Sequence, residues 1–259
     1  MSISSEILST FVYASKQAGT AILELFDGKS SFDLKDPMQV LTEADLRSHT
    51  ILKEILEKEF RGLPLIMEEQ QNSEPLPQDY IVCDELDGTA LFSRGIGEFG
   101  VILAHVEKGR PREGCIYFPA SETFLTSSLG GGAFVNGNKI LPNKTGTLEL
   151  SVLSLEINNT FQDDDFAWIN RVSKNVLATR ALAATGAGFL ELLQGKTDLF
   201  MNLSGAKVWD FAAGILALEE AGGLALDKSG EPLVWDRIRM SAVMGRNPEL
   251  VKKLYRFRP

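Results

Sequence analysis

Two aspartates, Asp84 and Asp87, stand three positions apart in "CDELDGTALF", at the end of an apolar run and just before a glycine and a threonine. Carboxylates this close repel one another, and removing either from water without a partner costs several kcal/mol. A positive group belongs between them. Three more acids, Asp45, Glu68 and Asp210, fall where strands should end or helices begin. Each has a purely local reading. Asp45 could complete a capping box with Thr42, and Glu68 could share a loop with Glu69. Asp87-Gly88 could be a turn, and Asp210 could favour a helix dipole from the first turn. Taken together, the five form an oxygen-donor set suited to hard divalent cations, and the carbonyl of Leu86 can complete it. Gly88 and Thr89 would open a short helix whose free N–H groups can hold a phosphate. The Thr89 hydroxyl could orient an attacking water. Phosphate-monoester hydrolysis is the matching reaction, so slow unaided that enzymes accelerate it by up to ~10²¹-fold. Two or three metal ions would neutralise the dianion, lower the pKa of water and stabilise the leaving oxygen.

The bulk of the sequence narrows the alternatives. Its 259 residues suffice for one large domain or two modest ones, and 44% hydrophobic with 24% charged residues is ordinary globular composition. A formal charge of −9 and the lack of a basic stripe exclude a nucleic-acid polymer as the expected partner. No apolar run approaches the roughly 20 residues of a membrane span, and the N-terminus reads as an amphipathic helix, not a signal peptide. A cytoplasmic protein is expected, with the sequons at Asn143, Asn158 and Asn202 unused. Cys83 and Cys115 read as reduced core thiols. His49 and His105 share no motif and read as core or surface residues, which weakens any histidine-based acid–base scheme.

The elements that must carry the acids follow from periodicity. Helical spacing covers residues 5–26, ending near Gly28, and about 43–60. "LPLIMEE" and "DYIVCDE" read as buried strands that end in acids, and strand patterns separated by turns fill 99–135. A polar stretch at 143–147 is the expected boundary between an α+β half, residues 1–145, and an α/β half, residues 146–259. In the second half, strands at 148–156, 175–179, 198–203, 224–227 and 241–245 alternate with helices near 163–174, 186–194 and 208–221. "QGKT" at 194–197 is not a nucleotide loop, because Leu190 stands where that motif needs a glycine.

"MEEQ", "CDELDGTALF" and "WDFAAGILALEEAGG", in this order and with "LTEAD" upstream, resemble the inositol monophosphatase family of magnesium-dependent, lithium-sensitive phosphatases. The resemblance runs from about residue 5 to 245 and implies a layered αβαβα sandwich, usually a homodimer. It implies that Glu68, Asp84 and the Leu86 carbonyl bind one magnesium. Asp84, Asp87 and Asp210 would bind a second, and a weaker third would lie near Glu68. Asp45 and Thr89 would help Glu68 activate water, while Asp87, Gly88, Thr89 and Asp210 would meet the substrate phosphate.

Three positions depart from the family pattern. Glu85 replaces a proline, Met67 replaces a glycine, and Asn202 or Leu203 replaces the acid that binds inositol hydroxyls. Neighbouring side chains in a strand point to opposite sides, so Glu85 should face away from the metals and proline should be tolerated there. The expected activity is that of a phosphomonoesterase for a small phosphorylated polyol or sugar. Bisphosphate nucleotidase, fructose-1,6-bisphosphatase and histidinol phosphatase activities are the alternatives within the family. A metal-binding scaffold without turnover is the alternative from another class.

Overall fold

The computed structural model describes residues 6–26, 32–35, 39–142 and 146–259. Helices α1 (Glu6–Glu24) and α2 (Glu43–Glu59) flank a small antiparallel hairpin, β1 (Phe32–Lys35) and β2 (Gln39–Thr42). They cover one face of a seven-stranded sheet made of β3 (Leu65–Met67), β4 (Tyr80–Asp87), β5 (Gly100–Glu107), β6 (Arg110–Phe118), β7 (Thr123–Ser128), β8 (Gly132–Val135) and β9 (Asn138–Lys139). Spatial order follows chain order, with β3 and β4 parallel and the later pairs antiparallel. The short α3 (Thr89–Phe92) follows β4 directly.

A second sheet contains β10 (Val152–Glu156), β11 (Ala178–Leu182), β12 (Leu199–Asn202), β13 (Leu224–Leu226) and β14 (Ala242–Gly245), in the order β11-β10-β12-β14-β13. Helices α4 (Asp163–Ser173) and α7 (Pro248–Leu254) lie on its outer side, and α5 (Thr185–Leu193) and α6 (Val208–Glu220) fill the space between the sheets.

Strand periodicity explains the layering. Along β4, Tyr80 and Val82 pack with Phe189 of α5 and Phe211 of α6, whereas Ile81 and Cys83 pack with Phe11 of α1 and Leu52 of α2. In the second sheet, Phe200 and Met244 face the middle helices, and Leu199 and Val243 face Trp168 and Leu250. Helix α6 is apolar almost all round because it has a sheet on each side. Each fully buried large side chain contributes roughly 1.5–3 kcal/mol by leaving water. The result is the expected αβαβα sandwich.

Two sequence expectations shift. The strand placed at 175–179 forms at Ala178–Leu182. It is an edge strand with Ala178 to Ala181 exposed, so apolar alternation could not mark it, and the nearby apolar Val176 belongs to the outer core instead. Hairpin β1–β2 and the two-residue β9 carried no period long enough to notice. The expected helix end at Gly28 and residues 143–145 at the expected boundary lie outside the described residues. The seven-stranded sheet precedes that boundary and the five-stranded sheet follows it. Helix α6 nevertheless shares one apolar core with β4 to β8.

Candidate active site

A bulge solves the geometry of the aspartate pair. Residues three apart in a regular strand point to opposite faces. In β4, however, Asp84 pairs with Ile102 and Asp87 with Gly100, so four residues oppose three. The extra residue returns Asp87 to the face of Asp84. That is the face covered by α5 and α6, where Asp210 stands in the first turn of α6. The oxygens of Glu68, Asp84 and Asp210 lie within 4.8 Å of one another. With Asp87, Thr89 and Glu156 they line a cavity of about 270 Å³.

The three aspartates are held by backbone donors. Asp84 Oδ1 accepts the Leu86 N–H at 3.0 Å, and Asp210 Oδ2 accepts the Lys207 N–H at 2.7 Å. Asp87 takes both its bonds from the start of α5, the Thr185 N–H at 2.9 Å and the Gly186 N–H at 2.8 Å. Each of its oxygens keeps a second lone pair. Glycine at 186 has a steric reason, since a Cβ there would lie 2.8 Å from Asp87 Oδ2. Gly186→Ala is therefore expected to cost about 1–3 kcal/mol by overpacking, measurable by chemical denaturation of the metal-free protein. An unchanged midpoint would show that Asp87 can withdraw freely. Gly88 is constrained in another way, with φ +84 and the Glu98 carbonyl 2.8 Å from a would-be Cβ.

Asp45 serves both readings that the sequence left open. Its Oδ2 accepts the Thr42 N–H at 2.7 Å and the Thr42 hydroxyl at 2.6 Å, capping α2. Its Oδ1 lies 2.9 Å from the Thr89 hydroxyl, which is also 2.8 Å from the Leu86 carbonyl. The cap thus fixes a carboxylate that in turn fixes Thr89 at the edge of the cavity.

The acids strain against one another. Burial is the first cause raising Asp84 and Asp210 well above the usual carboxylate range, and Glu68 is the next in both. Asp87 is pushed up to about 7 by burial, against the lowering effect of the Gly186 and Thr185 amides. Glu156, at the end of β10, is pushed up to about 8 by burial and then by Asp87. Lys207 offers partial compensation, its Nζ 3.6 Å from Glu68 Oε1 and 5.1 Å from the Trp209 ring centroid. The donors are hard oxygens, crowded and short of positive charge, and a divalent cation fits them.

The sequence matches the inositol monophosphatase family over residues 4–256. The chain belongs to that family. It is 29% identical to inositol monophosphatase 2 of Solanum lycopersicum over 235 residues, 87% of this chain and 88% of that protein. It is 30% identical to the fructose-1,6-bisphosphatase/inositol-1-monophosphatase of Thermotoga maritima over 192 residues, 74% of this chain and 73% of that one. The crystal structure of extragenic suppressor protein suhB from Bartonella henselae superposes with a TM-score of 0.85 at 26% identity, covering 98% of each chain. This member of the inositol monophosphatase family is a metal-dependent phosphoric monoester hydrolase. Among the described residues no helix is long and apolar enough to cross a membrane.

Several residues escaped the sequence reading. Glu156 and the amides of Thr185 and Gly186 stand alone in sequence, and only the fold brings them to the cavity, whereas Lys207 lies three residues before Asp210 at the cap of α6 and carried no signal of its own. Where other inositol monophosphatases were expected to carry a hydroxyl-binding acid, Asn202 and Leu203 are both fully buried, and neither lines this cavity. Glu85 does face away from Asp84, towards α2, but it is not idle. Its carboxylate is buried among His49 Nδ1 and the amides of Glu68 and Glu69. The expectation that proline would be tolerated at 85 is withdrawn, because proline supplies none of these contacts. The thiols of Cys83 and Cys115 are buried and raised, Cys115 to about 12, as fits reduced core residues.

Proposed function

We propose that this protein is a magnesium-dependent phosphatase for a small phosphorylated polyol or sugar, of the inositol 1-phosphate type. The convergence of Glu68, Asp84 and Asp210 in the lining of a cavity near the lower size limit for ligand pockets carries this reading. Glu68, Asp84 and the Leu86 carbonyl would hold one magnesium, and Asp84, Asp87 and Asp210 a second, with a weaker third at Glu68. Bound magnesium supplies the positive charge that a dianionic ester needs and lowers the pKa of water.

The chain's own groups do the rest. The backbone at Gly88 and Thr89, beside Asp87 and Asp210, receives the phosphate. Thr89 Oγ1 accepts a hydrogen bond from the attacking water while donating its own proton to Asp45 Oδ1. Asp45, fixed by Thr42, is the proton's destination, and Glu68 shares in orienting the water. We take residues 1–145 as the half that carries Asp45, Glu68, Asp84 and Asp87, and residues 146–259 as the half that carries Asp210. Lithium inhibition, a homodimer and a cytoplasmic location complete the proposal; lithium titration and size-exclusion with light scattering test the first two.

Substrate choice rests on Glu156, the one acid of the second half besides Asp210 that lines the cavity. It accepts the Thr185 hydroxyl at 2.5 Å, so one of its oxygens is already engaged within the fold. A second cavity of about 530 Å³ adjoins the first through Thr160 and Gly205, and Arg239 lines it. That cavity favours, as the second reading, a substrate with another anionic group.

Phosphate release should be measured on inositol 1-phosphate, fructose 1,6-bisphosphate, adenosine 3′,5′-bisphosphate and histidinol phosphate. Inositol 1-phosphate is expected to be accepted without strong preference, because a site not built to hydrogen-bond a given hydroxyl discriminates weakly. A large preference for it would give Glu156 the role of the missing acid, and Glu156→Gln should then erase that preference. Tight magnesium binding with no release from any of the four would leave the non-catalytic scaffold standing.

A further inference from the structure

Glu85 is 1% exposed on the α1/α2 side of β4, where its strand neighbours on that face are Ile81 and Cys83. A carboxylate in such surroundings persists only when hydrogen-bonded. Its Oε2 accepts the Glu68 N–H at 3.1 Å, a bond shared with the Cys83 carbonyl at 3.2 Å, and its Oε1 accepts the Glu69 N–H at 3.2 Å and lies 2.7 Å from His49 Nδ1. The Glu85 carbonyl accepts the Ser48 hydroxyl at 2.7 Å. Two consecutive residues of α2 and two of the acidic turn therefore meet on one residue of β4. Of the three acids that converge, Asp84 sits in a strand and Asp210 in a helix, whereas Glu68 follows the end of β3. Its position depends on how that turn is tied down.

We propose that Glu85 is a positioning residue for the metal site, clamping the 68–69 turn to β4 and α2 so that Glu68 stays against Asp84 and Asp210. The inference rests on the metal-site reading above. The family's proline sets this stretch through a fixed φ; here a side chain sets the turn beside it.

The test uses the full-length protein, with magnesium binding read by calorimetry and amide exchange read on the metal-free form. Losing a group that orients a metal ligand typically costs 10–100-fold in metal affinity. Glu85→Ala and Glu85→Pro should both weaken magnesium binding by at least ~10-fold, within that range. They should also speed exchange at the amide of Glu69, whereas the Glu68 amide keeps the Cys83 carbonyl as acceptor, with circular dichroism unchanged. Glu85→Gln should bind within a few-fold of the parent, because its amide oxygen can still accept an N–H and its NH₂ can face His49. If Glu85→Ala does not fold, Glu85→Asp decides: it keeps the charge but shortens the reach, so the same losses are expected. Parent-like affinity and exchange in Glu85→Asp would overturn the clamp, as would equal losses in Glu85→Ala and Glu85→Gln, which would assign the effect to charge alone. A parent protein that binds no magnesium would overturn the functional reading as well, so the two failures are distinguishable.

Discussion

Asp210→Asn is expected to lower turnover by at least ~100-fold while leaving the fold intact and the metal-free protein slightly more stable. The activity estimate takes as its floor the 10–100-fold cost of losing a group that merely supports a metal ligand. Asp210 is proposed to touch the metal itself. The fold should survive because the bond from the Lys207 N–H, 2.7 Å to Asp210 Oδ2, can be accepted equally by an asparagine oxygen. The gain in stability follows from electrostatics: burial first, then Glu68 and Glu156, raise the Asp210 carboxyl, so a neutral amide removes a disfavoured charge. Relief of about 1 kcal/mol would raise the melting temperature of a chain this size by about 2–4 °C. Steady-state turnover and thermal melts in chelator measure the two effects. Near-normal turnover would reduce Asp210 to a helix-terminus acid.

Asp210 also illustrates what could be read before the structure. Its motif, the aspartate pair and the acidic turn each occupy a few adjacent residues, so their chemistry was visible along the chain. The five layers came from the family resemblance, not from periodicity, which gave only an α+β half followed by an α/β half; the apolar surround of α6 shows why the layers close. The bulge in β4 was not visible along the chain. It arises from pairing with β5, and only the register of Asp84 with Ile102 and Asp87 with Gly100 reveals that the two acids share a face. The α5 amides that hold Asp87 lie 98 and 99 residues away from it. No local pattern connects them. Glu85 was misjudged for a related reason: alternation gave its direction correctly, but the partner His49 is 36 residues distant, on a helix whose buried face looked merely apolar. Backbone-fixed geometry within one element was readable, whereas pairing between elements had to be seen.

Metal removal should produce the largest change of all, with turnover abolished by chelation and restored by magnesium, and its signature in stability should depend on pH. Burial pushes the Asp87 carboxyl up from the ordinary 3.8 to about 7, and that of Glu156 from 4.5 to about 8. Asp84 and Asp210 are raised as well. Below about pH 4 both states hold these protons, and the stability associated with them is fully present. As pH rises towards 7 and 8, the unfolded chain has already released the protons while the folded chain retains them, so folding loses ground. The metal-free protein should therefore become progressively less stable from about pH 5 to 8, opposite to the usual behaviour of salt-bridged carboxylates. On the proposed reading, magnesium would bind the ionised acids and should reverse the trend, adding about 2.7 kcal/mol at a concentration 100 times its dissociation constant. Denaturation midpoints from pH 5 to 8.5, in chelator and in magnesium, compare the two forms. Parallel curves would mean that the cation does not bind these carboxylates. Full turnover in chelator would remove the metal from the mechanism. Divergence that widens with pH is the expected result, because the crowding that destabilises the empty cluster is what gives a divalent cation its affinity there.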